Sequence, residues 1–119
     1  MEKISAETQN LLYRLGLTAN YRGLFYISYA IALCVEKEER LLLVTKWLYP
    51  EVAKRYGTNW KAVERGIRTG SGVMWSENRP LLEKITGRPL DGQLKAAQLL
   101  AILTTEVKKK GLQAASSQP

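Results

Sequence analysis

Glu64, Arg65 and Arg68 are the residues of this chain whose types and spacing suit a specific chemistry. On a helix turning about 100° per residue they share one face with Lys61 and Gly72. Each guanidinium there can donate bidentately to the O6 and N7 of guanine, and the neighbouring carboxylate can accept from the N4 of cytosine. One acid among bases separates the reading of base edges from simple attraction to phosphate. The same residues also fit a plainer arrangement, because Glu64 and Arg68 stand four apart and can close an ordinary helix ion pair worth about 0.2–0.5 kcal/mol. Spacing alone leaves both arrangements open.

Other chemistries are poorly supplied. The chain has no histidine and one cysteine, Cys34, which removes the commonest general base, the commonest metal ligand and any thiolate cluster. Neither a nucleophile paired with a base nor a metal-ligating cluster is visible, so the chain does not read as an enzyme, and no catalytic residue, metal or cofactor is expected. Eighteen Lys and Arg against eleven Asp and Glu give a net charge of +7, which favours polyanionic partners. Cys34, inside an apolar run, reads as a small buried hydrophobe of a reduced, cytoplasmic protein. The longest apolar stretch, Leu24 to Val35, is too short to span a bilayer, and the N-terminus lacks a basic segment leading into an apolar one. Neither a membrane partner nor a signal peptide is expected.

The elements that must position the charged face follow from periodicity and punctuation. A chain of 119 residues suits one compact domain, read as an all-α bundle over residues 1–109 with a disordered tail over 110–119. Ser5 can cap a first helix carrying Leu11, Leu12 and Leu15, and Gly16 stops it. From Arg22 to Lys37, Leu24, Ile27, Ile31 and Val35 recur at three- and four-residue steps, which predicts a central helix. A third helix is expected over Leu41 to Leu48, ended by Pro50, which opens a short helix running to Tyr56. Thr58 and Asn59 offer N-caps for a helix from Trp60 to about Trp75, although Gly66, Gly70 and Gly72 each weaken it by about 1 kcal/mol, so tertiary packing must hold it. Pro80 opens another short helix ending at Gly87, and Asp91 is expected to cap a last one with Leu94, Leu99, Ile102, Leu103 and Val107. Leu24, Ile27, Ile31, Val44, Leu48, Val63, Ile67 and Trp75 are the expected core. Trp60 fits either the core or the edge of a groove.

The pair of helices joined by the tight Gly57-Thr58-Asn59 turn, over about residues 50–76, has helix-turn-helix spacing, with the second helix placed to enter a DNA major groove. Trp60, Val63, Ile67 and Met74 form its dry side, about 130° from the charged one. Lys61, Glu64, Arg65 and Arg68 are the candidate base-reading residues. Lys54, Arg55 and Thr58, around the turn where the first helix crosses the backbone, are the candidate phosphate contacts.

The run TKWLYPEVAKRYGTNWKAVERGIRTGSGVMW, Thr45 to Trp75, resembles the helix-turn-helix of the C-terminal effector domain of the sporulation initiation response regulator, stage 0 sporulation protein A. The shared landmarks are Leu48-Tyr49-Pro50, Ala53-Lys54, Val63-Glu64-Arg65 with Ile67-Arg68, and Trp75-Ser76. The likeness extends more loosely from about residue 8 to 107, through Gly16-Leu17-Thr18-Ala19 and Arg22 to Ile27. It implies an all-helical domain that binds double-stranded promoter boxes, as a head-to-tail homodimer on tandem sites, and regulates transcription, with RNA polymerase or the full-length regulator as further partners. It also implies that Glu64, Arg65 and Arg68 read bases. Ala62 departs from the family, which usually carries Arg there, and the three glycines loosen the second helix. The chain starts at Met1 just ahead of the effector region, so no receiver domain, and no phosphorylation switch, is assigned to it. Those departures support a second reading, a receiver-less paralogue that modulates the full-length regulator by protein contact.

Overall fold

The computed structural model describes residues 6–116, with side chains through residue 111. They form six α-helices and no strand: α1 Ala6–Arg14, α2 Arg22–Glu36, α3 Tyr49–Tyr56, α4 Trp60–Glu77, α5 Arg79–Thr86 and α6 Ala96–Ser116. The all-α single-domain bundle expected from periodicity is therefore the fold, and the 13.6 Å radius of gyration is close to the ~13 Å of a compact chain of this size. Expected cap Ser5 lies outside the described residues. Gly16 ends α1 as expected, at φ 98°, while the amide of Leu17 bonds back to the carbonyl of Leu12 at 2.9 Å.

Helix α2 is the central element, packed against both α4 and α6. Leu24, Ile27, Ala30, Ile31 and Cys34 are buried there, and they meet Val63, Ile67 and Met74 from α4 and Leu99, Leu100 and Leu103 from α6 in one core. Of the eight expected core residues, six are buried. Val44 and Trp75 are only partly covered. Trp75 lies against the core on one side and carries the Arg79 guanidinium over its ring on the other, 4.4 Å from the centroid. Position 75 thus suits an amphipathic ring in a cation–π contact better than a sealed one.

The expected helix over Leu41–Leu48 does not form. Its place is taken by a 3-10 turn, Glu38–Leu42, and a π turn, Val44–Leu48, joined at Leu43 with φ −136° and ψ 57°. Pro50 explains the widening: its ring excludes the carbonyl four residues back from a regular ladder, and the Leu48 and Tyr49 amides reach back five residues, to Leu43 and Val44. Arg40 pins this segment, donating to the Leu33 carbonyl at the end of α2 and to Glu51 in α3, each at 2.9 Å.

Two boundaries of the last helix also differ from expectation. Asp91 is exposed and does not cap it; α6 starts at Ala96, with the Gln98 side chain accepting from the Lys95 amide at 3.2 Å. Burial of Leu90 and Leu94 holds the intervening stretch out of helix. At the other end, the helix continues past Lys110 to Ser116, through residues expected to be tail, because Leu, Gln and Ala extend a helix already nucleated at little cost.

Cys34 is fully buried, as expected. Burial above all pushes its thiol from 9.0 up to about 11, against an opposing pull from the Arg40 charge. A thiol reagent at pH 8 is therefore expected to label the native chain far more slowly than the urea-unfolded chain. Equal rates would place Cys34 at the surface. The sign for stability follows: the unfolded thiol ionises near its ordinary value while the folded one stays protonated, so this group's contribution is full below about 9 and is lost as pH rises towards 11.

Candidate nucleic-acid interface

The helix pair α3 and α4 is set by local chemistry on both sides of its turn. Pro50 stands in the first turn of α3, where its missing amide costs nothing, and Gly57 ends the helix in the left-handed region at φ 63° and ψ 40°. The Thr58 amide closes back on the Ala53 carbonyl at 2.9 Å. Asn59 then caps α4, its side-chain oxygen accepting from the Ala62 amide at 2.9 Å. These caps are the ones read from sequence.

Helix α4 buries Val63, Ile67, Gly70, Ser71 and Met74 and turns Lys61, Arg65 and Arg68 to solvent, with Glu64 half-buried beside them. Among the described residues, Glu64 and Arg68 form no ion pair, and neither do Lys61 and Arg65. The plainer of the two arrangements allowed by spacing is not adopted. Both Glu64 and Arg68 are felt by Tyr49, the sealed first residue of α3: burial chiefly, and then the Glu64 carboxylate, push its hydroxyl up to about 12, while Arg68 opposes them. The charged face stands over a neutral, dry floor.

Three glycines that looked like weaknesses have steric work. A methyl group added at Gly23 of α2 would stand 2.5 Å from the Gly66 carbonyl oxygen, so two backbones meet at this crossing. Gly66 faces the Tyr26 ring, Gly70 faces Ile27 and Leu17, and Gly72 admits the Gln93 amide. Gln93 donates to the Arg68 carbonyl at 3.3 Å, and the Ser71 hydroxyl donates to the Leu94 carbonyl. The loop before α6 thereby braces the second half of α4, a role for Gln93 that no local sequence signal announces.

Residues 8–107 match the model of the family described as sporulation initiation factor Spo0A C terminal. The chain belongs to that family. Spo0A C-terminal domains are DNA-binding units of sporulation transcription regulators, not an enzyme family. Among the described residues no helix is long and apolar enough to cross a membrane.

In this Spo0A C-terminal domain the expected base-reading set Lys61, Glu64, Arg65 and Arg68 is brought together on one helix. The expected phosphate set is more dispersed. Thr58 sits half-buried in the turn, Lys54 is exposed beside Pro50, and the Arg55 guanidinium lies 5.9 Å over the rings of Tyr29 and Tyr56. Arg22, missed by sequence reasoning, opens α2 and lines a recess of about 250 Å³ with Tyr21, Arg65 and Thr69. Its only sequence signal is a cation at the start of a helix, unfavourable for the dipole and so hinting at an external anion. Trp60 is 36% exposed and so is not sealed in the core, with the Lys61 ammonium 5.8 Å from its ring centroid.

Proposed function

We propose that this domain binds double-stranded promoter DNA sequence-specifically, with α4 in the major groove, Arg65 and Arg68 reading guanines, Glu64 reading a cytosine and Lys61 beside them. Lys54, Arg55 and Thr58 hold phosphates, and two copies bind head to tail on tandem boxes to regulate transcription. The observation that carries this reading is the absence of internal ion pairs on the charged face of α4 among the described residues, which leaves a carboxylate and two guanidiniums with hydrogen-bonding capacity directed outwards. The close Gly23–Gly66 crossing and the Gln93 brace support it, because base reading needs a rigidly held helix.

The test is a salt-titrated binding assay on family promoter boxes and on scrambled DNA. The expected preference for the box is roughly 10³-fold or more at physiological salt. Equally weak binding to both would remove the specific-regulator reading and favour a modulator acting through protein contact. In the same assay Lys54→Ala is expected to weaken binding on every sequence alike and to lower the salt slope by about one unit, since phosphates carry no base identity. A loss confined to one sequence would contradict the phosphate role.

A further inference from the structure

Among the described residues, the 3-10 and π turns between α2 and α3 carry the most exposed large apolar side chains. Leu42 is 80%, Leu43 48% and Trp47 58% exposed within six consecutive residues. Leu43, Trp47 and Pro50 line an open groove of about 760 Å³, large enough for the anchor side chains of a peptide. Lys37, Lys46 and Lys54 stand around it, and among the described residues none of the three has an ion-pair partner. Arg40 and Glu51, also at the groove, satisfy each other at 2.9 Å, so beyond Lys54, assigned above to phosphate, Glu39 is set against the two spare ammonium groups of Lys37 and Lys46.

We propose that this groove is a docking site for an acidic amphipathic helix of a partner protein. Its apolar residues cover Leu43 and Trp47, and its carboxylates face Lys37 and Lys46. Charge complementarity selects the acidic partner. The backbone selects a helix: the groove wall closes its own hydrogen bonds, with Leu43 donating to Arg40 and Trp47 to Leu43, and the described residues contain no sheet edge to which a strand could add. A partner must bring its polar backbone already paired, and a helix laying one apolar stripe into a groove does so. The groove adjoins α3, so a helix seated there lies beside the DNA-binding pair without covering the exposed face of α4.

Two synthetic helical peptides with the same leucine stripe, one with glutamate and one with lysine on its polar face, test this by fluorescence anisotropy against the full chain. The glutamate peptide is expected to bind, and the lysine peptide to bind at least about tenfold more weakly. Trp47→Ala is expected to cost the glutamate peptide about tenfold or more, as the loss of a buried aromatic anchor does, and Lys46→Glu to weaken it further. Because Trp47 is mostly exposed, the Trp47→Ala chain should keep its helical circular dichroism and its affinity for a promoter box. Glutamate-peptide binding that Trp47→Ala leaves unchanged would overturn the proposal as general attraction to a basic protein. A concentration-dependent dimer abolished by Trp47→Ala would overturn it in favour of a second copy, and a fall in DNA affinity in that variant would assign the groove to nucleic acid. The DNA measurement on the unaltered chain separates any of these from failure of the regulator reading.

Discussion

Arg65→Ala and Arg68→Ala are each expected to weaken binding to the preferred promoter box by about 1–3 kcal/mol and to flatten the preference at one base pair. Both guanidiniums are exposed and without internal ion pairs among the described residues, so truncation removes hydrogen bonds only the complex can make. Stability should hold within about 0.5 kcal/mol. Glu64→Ala should act in the opposite sense on DNA of unrelated sequence, where losing a carboxylate repelled by phosphate holds or raises affinity, while discrimination at a cytosine falls. Binding assays on boxes substituted one base pair at a time, with chemical denaturation of each variant, decide it. If all three variants keep the parent's base preferences, the base-reading assignment is wrong.

Gly23→Ala is expected to be strongly destabilising. The added Cβ would meet the Gly66 carbonyl oxygen at 2.5 Å and the Gly66 carbonyl carbon at 3.3 Å, and both belong to a backbone that cannot rotate away. Helices α2 and α4 must then separate, opening the packing around Ile27, Val63 and Ile67, at a cost of about 1–3 kcal/mol or more. Promoter affinity should fall as well, although residue 23 carries no polar side chain, because α4 moves relative to α3. Gly66→Ala meets a Tyr26 ring edge at 2.7 Å, a side chain with more freedom to adjust, and should cost less. Gly111→Ala, in α6 with nothing within 4 Å, is the control and should hold or raise stability, since Ala is the better helix former by about 1 kcal/mol. Thermal unfolding of the three variants ranks them; a Gly23→Ala chain as stable as the parent would mean the crossing is looser than the structure has it.

The sequence by itself determined what depends on neighbours along the chain. Pro50, Gly57 and Asn59 set the turn between α3 and α4 because a missing amide, a left-handed residue and a side-chain oxygen act within four residues. The period of Val63, Ile67 and Met74 set the dry face of α4 and, opposite it, the grouping of Lys61, Glu64, Arg65 and Arg68. The landmark residues from Leu48 to Trp75 were enough to indicate the family. What only the tertiary structure decided depends on partners far away in the chain. Whether Glu64 closes on Arg68 is a competition among rotamers that spacing leaves open; whether Trp47, Trp60 and Trp75 are core or surface depends on what packs above them. Gly66 and Gly70 read locally as lost helix propensity, yet the close approach of α2, more than thirty residues upstream, requires them. The apolar run before Pro50 had helical composition, but Pro50 and the Arg40–Glu51 and Arg40–Leu33 bonds hold it as two short turns with Trp47 in the open. Hydrogen-bond closure across 7 to 11 residues leaves no periodic trace in a sequence, and that is why the groove had to be seen folded.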